Sequence, residues 1–374
     1  GCAHNRRIAL DELRWAKPNH YYAIYAGTLY RPGIRDEPLP NDFLIYDRNV
    51  EGPRGRFGRW SFAGTTRFLG EGCQGKDTFV GGMIVDEPNR RFPLNAALQV
   101  VTNQFRLHPR TKSEKCRRWR ECRYLSQEEH NAVTVADTFA ALSTRYRIQN
   151  VAWGGKSTLT EWAGDQQWFL TPHGLYGVLA IEPLTDQQAY SIHGRVRFGM
   201  NKEIERKGDA FFKYGGLLCR LHAHNYSDVI TEKSETFYID KPERFRSTEI
   251  VLRDRGIVEG GEGALLPYAK GTRQFFTVEV LPYWSALAES VRPIASVEGV
   301  CGLEVCMDGR WLLLAQNTTG EDKVFEAALP WAAAGSVVHR SGGHTSSPVA
   351  LVAPAGAVKV DIPAHSHVVL EKVR

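Results

Sequence analysis

Apolar and polar residues alternate along most of the chain, which is the two-residue period of a β-strand with one buried face. The alternation is clear in residues 189–199, 215–230, 244–254 and 273–284. Two apolar runs flank Thr171–Gly174, and this spacing predicts a hairpin over residues 166–184. A second tight turn is predicted at Asp308 and Gly309.

Helical patterns are few. Ser126 and Glu129 resemble a capping box and predict a helix over residues 130–146, although Val133–Val135 contains the β-branched residues that disfavour one. Strands without alternating long helices predict antiparallel sheets. We therefore expect an all-β protein, with a large layered antiparallel β-sandwich followed by a smaller C-terminal β-sandwich. The predicted division is a lead-in at 1–14, the large domain at 15–295 and the small domain at 296–374.

The stretch Cys219–Glu232 carries the clearest candidate chemistry. Period two places one set of side chains on an inward face, namely Leu217, Cys219, Leu221 and Ala223, and another on an outward face, namely Arg220, His222, His224 and Tyr226. Arginine pairs with carboxylates, and histidine and tyrosine transfer protons. Two alternatives remain open. The outward face is a solvated polar surface, or the histidines bind a metal together with Asp228.

Other stretches add candidate binding residues. His20 and Tyr22 open an aromatic strand, and His193, Arg195 and Arg197 alternate onto one strand face. Trp162 and Trp168 are predicted to be core residues, because tryptophan is usually largely buried. We interpret the histidines at 365 and 367 as surface residues near the chain end.

Charge and motifs narrow the function classes. The net charge is +5, and residues 110–123 alone hold seven basic and two acidic side chains, an excess of +5. Such a cluster is typical of a solvated loop or of a surface that attracts an anionic polymer. Nucleotide-binding and hydrolase motifs are absent, and so are the patterns of nucleic-acid-binding modules, so we expect no nucleic-acid partner. No apolar run is long enough to predict a membrane span, and the seven cysteines include no C-x-x-C pair.

The order of three stretches resembles the β-sheet region of heparinase II/III-like polysaccharide lyases. The first stretch begins with "NHYYAIYAGTLYRPG", and the other two are "WFLTPHGLYGVLAIEPL" and "YSIHGRVRFG". The resemblance extends over residues 15 to 290. It implies an anionic, uronate-containing polysaccharide as substrate and cleavage by β-elimination. A histidine or tyrosine then removes the C5 proton, while preplaced cations stabilise the developing charge.

The resemblance assigns roles to the candidates. The catalytic candidates are His222, His224 and Tyr226, and the substrate-binding candidates are Arg220, His193, Arg195, His20 and Tyr22. No cofactor is required; some family members hold a structural divalent metal, but no metal ligand is predicted here. The resemblance also implies a secreted or periplasmic location. Family members have an N-terminal helical domain for which residues before 15 leave no room, so we expect a missing domain or second chain to supply it. The alternative function is a non-catalytic carbohydrate-binding β-sandwich.

Overall fold

The computed structural model describes a series of ranges, namely 42–48, 52–57, 60–64, 80–86, 90–106, 117–122, 124–136, 139–150, 158–172, 174–198, 205–207, 211–214, 217–235, 246–254, 265–282, 291–294, 298–307, 309–332, 337–341, 349–352 and 354–372. Most of these residues form strands. The first fourteen are β1 Asp42–Asp47, β2 Gly52–Phe57, β3 Trp60–Gly64, β4 Val80–Asp86, β5 Arg90–Arg106, β6 Arg117–Cys122, β7 Tyr124–Val135, β8 Ala140–Asn150, β9 Thr158–Thr171, β10 Gly174–Pro183, β11 Gln187–Ala189, β12 Ser191–Phe198, β13 Glu205–Lys207 and β14 Phe211–Tyr214. The others are β15 Leu217–His224, β16 Asp228–Glu235, β17 Arg246–Arg253, β18 Leu266–Tyr268, β19 Gln274–Pro282, β20 Val291–Ile294, β21 Val300–Met307, β22 Arg310–Asn317, β23 Lys323–Ala328, β24 Val337–Ser341, β25 Val349–Val352, β26 Ala357–Ile362 and β27 His367–Lys372. Two 3-10 helices lie at Pro330–Ala332 and Pro354–Gly356.

Two large antiparallel sheets form the main sandwich. Sheet A has nine strands in the order β1-β2-β3-β4-β5-β12-β17-β16, with β6 pairing beside β5. Sheet B has eight strands in the order β13-β14-β15-β19-β10-β9-β8-β7. The short strands β11 and β18 form a separate ribbon. The prediction of an all-β protein built from antiparallel sheets is confirmed.

The core of the main sandwich lies between sheets A and B. Sheet A contributes Ile192 and Ile250, and sheet B contributes Trp168, Leu221 and Phe276, all of them buried. In β19, for example, Phe276, Val278 and Val280 face this core at every second position, because side chains alternate along a strand. The face of sheet B that points away from sheet A is called the outer face below.

A smaller sandwich follows in the chain. Sheet C has six strands in the order β20-β21-β22-β27-β24-β25, and sheet D is the pair β23-β26. Phe325 and Ile362 of sheet D pack with Leu313 and Val368 of sheet C to form its core. The opposite face of sheet C packs on the outer face of sheet B through a second apolar cluster: Phe139, Ala141, Phe169, Tyr176, Leu281, Leu303, Val305, Leu312, Leu314 and Val369. The predicted domain boundaries stay a prediction, and we note that sheet C includes β20, which ends at Ile294.

Several local predictions have clear outcomes. Thr171 pairs with Gly174 and Met307 pairs with Arg310, so both predicted hairpins are confirmed. The predicted helix over residues 130–146 is wrong, because β7 and β8 pair there instead. Residues 117–122 of the basic cluster form β6 in place of a loop. Among the described residues, no helix is long and apolar enough to cross a membrane.

Candidate functional site

One row of residues crosses the outer face of sheet B. In the strand register Phe169 is opposite Tyr176, Tyr176 is opposite Glu279, and Glu279 is opposite Arg220. The row exists because β19 alternates strictly: Phe276, Val278 and Val280 are in the core, whereas Thr277 and Glu279 point to the outer face. The row therefore places a carboxylate between a phenol and a guanidinium.

His222 joins this row through a β-bulge. The pairing of β15 with β19 shifts between Leu221 and Ala223, so that Leu221 is opposite Val278 and Ala223 is opposite Thr277. His222 is the extra residue at this shift. Its Nε2 lies 2.6 Å from Glu279 Oε2, and Arg220 Nη1 lies 3.7 Å from the same oxygen. Glu279 thus contacts both polar side chains of β15, and we call Arg220, His222, Glu279 and Tyr176 the Glu279 row.

Exposure changes along the Glu279 row. Tyr176 and Glu279 are 0% and 1% exposed, and the side chains of His222 and Arg220 are 6% and 28% exposed. Tyr176 belongs to the apolar cluster beneath sheet C, so coverage by the small sandwich ends near Glu279. Within the described residues, Tyr176 Oη and Glu279 Oε1 have no hydrogen-bond partner. The row therefore runs from a covered phenol to a partly exposed guanidinium.

Burial controls the proton chemistry at the covered end. Burial first, and the charge of Glu279 second, raise the pKa of Tyr176 well above its ordinary value. Burial and the Glu279 charge likewise raise the pKa of the Cys219 thiol, which faces the core beneath the row. Both groups stay protonated, because their charged forms lack solvation there.

Two predicted members of the outward face are not part of the row. The bulge reverses the alternation, so His224 lies opposite Phe276, and its Nδ1 is 3.1 Å from the carbonyl oxygen of Tyr226. Tyr226 is 4% exposed and packs edge-on against Phe276 at 6.3 Å between ring centroids. Burial, followed by Asp254, raises the pKa of Tyr226 well above its ordinary value. The outward placement of Tyr226 is wrong, because one extra residue at the bulge turns it into the core. The inward placement of Ala223 is wrong for the same reason, because Ala223 lies opposite Thr277 of the outer face.

His193 and Arg195 lie on the other side of the main sandwich. Ile192 and Val196 of β12 face the core, so His193 and Arg195, which alternate with them, point away from sheet B. His193 Nδ1 lies 3.4 Å from Arg195 Nη2, and burial together with Arg195 and Arg253 lowers the pKa of His193 well below its ordinary value. The structure therefore does not bring His193 and Arg195 to Arg220 and His222.

The remaining predicted site residues, His20 and Tyr22, lie outside the described residues. No group of three or more histidine, cysteine, aspartate or glutamate side chains suited to a metal ion occurs in the described part of the chain. Trp162 and Trp168 are each 1% exposed, so their prediction as core residues is confirmed.

A second polar cluster lies on the outer face of sheet B, beneath the small sandwich. Arg145 donates to Asp165 Oδ2 at 2.7 Å and to Glu182 Oε1 at 2.8 Å. Arg273 lies 3.8 Å from Asp165 and 3.7 Å from Glu182, and burial lowers the pKa of its guanidinium while both carboxylates oppose that effect. His365 Nδ1 lies 2.8 Å from Asp165 Oδ1. We call these five residues the Asp165 network.

His367 makes a further contact between the sandwiches. It is 1% exposed, and its Nδ1 and Nε2 lie 2.5 Å from Ser143 Oγ and 3.1 Å from Thr134 Oγ1. The interpretation of His365 and His367 as surface residues is wrong for His367. Strand β27 lies between β22 and β24 in the interior of sheet C, so closeness to the chain end did not imply exposure.

The sequence reasoning missed Glu279, Tyr176 and the Asp165 network. One signal was available for Glu279: it is a single carboxylate in the apolar run Phe275–Leu281. A buried carboxylate on a mostly apolar strand needs a charged or hydrogen-bonding partner. Arg220 and His222 of β15 provide it for Glu279. Nothing in the sequence indicates that β15 and β19 are neighbours.

Comparisons with known proteins add little beyond this geometry. No family model matches the chain, and no curated protein matches it. Solved structures that resemble it include the Streptomyces coelicolor chondroitin AC lyase in complex with chondroitin sulphate and a tyrosine-to-alanine mutant of that lyase, each with 11% identity and a TM-score of 0.41. The matches cover 94% and 99% of this chain, which spans 52% and 56% of those chains. A TM-score below 0.5 carries no weight for fold or function, and the resemblance to heparinase II/III-like lyases stays a prediction.

Proposed function

We propose that the chain is the β-sandwich part of a polysaccharide lyase, and that an acidic, uronate-containing glycan binds at the exposed end of the Glu279 row. The observation that carries the proposal is the His222–Glu279 contact of 2.6 Å beside the partly exposed Arg220. A carboxylate that binds one ring nitrogen of a histidine fixes its tautomer and orientation. Arg220 is the group in the row that meets solvent and suits a uronate carboxylate.

The chemistry assigned to the row follows from these contacts. In β-elimination a base takes the proton from the carbon beside the carboxylate, and the electron pair of that C–H bond forms a carbon–carbon double bond. The bond to the leaving oxygen breaks, and the oxygen departs with its electron pair and takes up a proton from water. With Nε2 bound to Glu279, Nδ1 of His222 is the nitrogen left to accept that proton. Arg220 reduces the charge that develops on the carboxylate. Glu279 acts as a positioning residue, because it touches His222 and lies away from solvent.

The experiment measures unsaturated product. The chain is incubated with heparin, hyaluronan, alginate or glucuronan, and the absorbance of the unsaturated uronate is followed over time. Product from one polymer that is lost in His222→Gln but retained in His224→Gln supports the proposal, since His224 is exposed and outside the row. The absence of product from all four polymers would rule out the lyase assignment for this chain.

The low exposure of His222 favours a second function, a non-catalytic carbohydrate-binding sandwich. Its side chain is 6% exposed, which limits the access of a sugar carbon to Nδ1. This function predicts glycan binding that weakens with salt, forms no unsaturated product and is unchanged in His222→Gln. In both cases the proposal includes a secreted or periplasmic location, where such a polymer is met, and a further domain or chain that completes the glycan-binding site.

A further inference from the structure

The contact between sheet B and sheet C combines an apolar part with a polar part. The apolar part surrounds Phe169 and Tyr176, and the polar part contains the Asp165 network and His367. Gln167 donates to the carbonyl oxygen of Asn317, and Arg273 donates to that of Thr318. In the described part of the small sandwich, the polar contacts to sheet B and Arg273 come from Asn317, Thr318, His365 and His367.

Several buried atoms in this contact have no protein partner among the described residues. They are Gln167 Oε1, Arg273 Nε, Tyr176 Oη and both amide atoms of Gln316, which shares a strand face with Leu312 and Leu314. A buried polar atom without a partner destabilises the state that buries it. Contacts between domains that are partly polar separate more easily than apolar cores. The core between sheets C and D is an apolar cluster with a single such atom among the described residues, Trp331 Nε1.

We propose that the small sandwich is a separable cover over the buried end of the Glu279 row, and that His365 and His367 are the latch that holds it closed. In the latch, His367 makes hydrogen bonds to Ser143 of β8 and Thr134 of β7. His365 lies within ion-pair distance of Asp165 of β9, at 2.8 Å, without the geometry of a hydrogen bond. When the cover opens, Tyr176 and Glu279 become accessible beside Arg220. Opening of the cover requires no ligand. Its role in regulating access of a glycan to the Glu279 row rests on the proposed function.

Adjacent residues of β27 provide a matched pair of reporters. Val369 packs in the cluster against sheet B, and Val368 packs in the core against sheet D. Val369→Cys therefore reports separation of the sandwiches, and Val368→Cys reports unfolding of the small sandwich. The native Cys219, buried between sheets A and B, reports unfolding of the main sandwich.

The experiment measures alkylation rates of these thiols in the full chain under native conditions, resolved by peptide mass spectrometry. We expect Val369→Cys to react faster than Val368→Cys and Cys219, because local opening needs less free energy than global unfolding. Adding His367→Ala removes two side-chain contacts and is expected to speed labelling of Val369→Cys about ten-fold, with no change at Val368→Cys. If His367→Ala does not fold, His365→Ala gives the same readout, since its side chain is at the rim and 13% exposed.

Equal alkylation rates at all three thiols, with or without the latch substitution, would overturn the proposal that the small sandwich is a separable cover. A last arm adds hyaluronan or, separately, heparin. Faster labelling of Val369→Cys with glycan supports regulation of the Glu279 row by the cover. If glycan has no effect while the three rates still differ, the cover stands and its link to the proposed function is refuted.

Discussion

Asp165→Asn removes the charge at the centre of a buried network. Asp165 is 1% exposed, and Arg145, Arg273 and His365 all lie within ion-pair distance of it. The two arginines are balanced by Asp165 and Glu182, and asparagine leaves one positive charge in excess. Breaking a buried pair by removing one partner costs about 3 to 5 kcal/mol, and we expect about 3 kcal/mol because the amide oxygen still accepts from Arg145.

The assay is urea denaturation followed by far-ultraviolet circular dichroism and tryptophan fluorescence, since Trp162 and Trp168 flank Asp165 on the same strand. Glu161→Gln is the matched control. Glu161 lies on the same strand, is 49% exposed in its side chain and pairs with Arg147 at 3.3 Å. This exposed pair is expected to contribute less than about 1 kcal/mol. Equal free energies of unfolding for Asp165→Asn and Glu161→Gln would refute the reasoning.

Two further perturbations test the core and the far side of the main sandwich. Gly177→Ala places a Cβ 2.6 Å from Trp168 Cε3, so we expect a loss of about 1 to 3 kcal/mol in the free energy of unfolding, measured by urea denaturation; an unchanged midpoint would contradict the close packing. The pKa of His193 is lowered in the folded state, so the unfolded chain binds the proton more readily. The free energy of unfolding therefore falls as the pH drops below about 6.5, by up to about 1.4 kcal/mol per pH unit for this one group. His193→Gln should reduce the slope of the free energy of unfolding against pH between pH 7 and pH 5. An identical slope would show that His193 has the same pKa in the folded and unfolded states.

The strand pattern of the sequence predicted the sheets well where side chains alternate without interruption. Cys219 and Leu221 are in the core as expected. The alternation failed at His222, because a bulge adds one residue to β15 and nothing in the composition of that stretch marks it. His224 and Tyr226 therefore fall outside the row, and Tyr226 turns into the core.

Other features depended on contacts between distant segments. The helix expected after Ser126 was wrong because Val133–Val135 are β-branched and β7 pairs along its length with β8. His367 is buried because β27 lies inside sheet C, and a local pattern does not contain that order of strands. Glu279 became a site residue only when β19 was placed beside β15. Predicting the Glu279 row therefore required the strand order as well as the residue types.

The central claim is that the Glu279 row binds an acidic glycan through Arg220, and affinity measurements test it most directly. Binding of hyaluronan and heparin is measured by titration calorimetry for the wild type, Arg220→Gln and Arg292→Gln. Arg292 is the control because it is an arginine with a 58% exposed side chain, is paired with a buried glutamate and lies far along the chain in the small sandwich. A charged hydrogen bond contributes about 1.5 to 3 kcal/mol, so Arg220→Gln is expected to weaken binding about ten- to hundred-fold while Arg292→Gln leaves it unchanged. Equal affinities for all three proteins would contradict the claim.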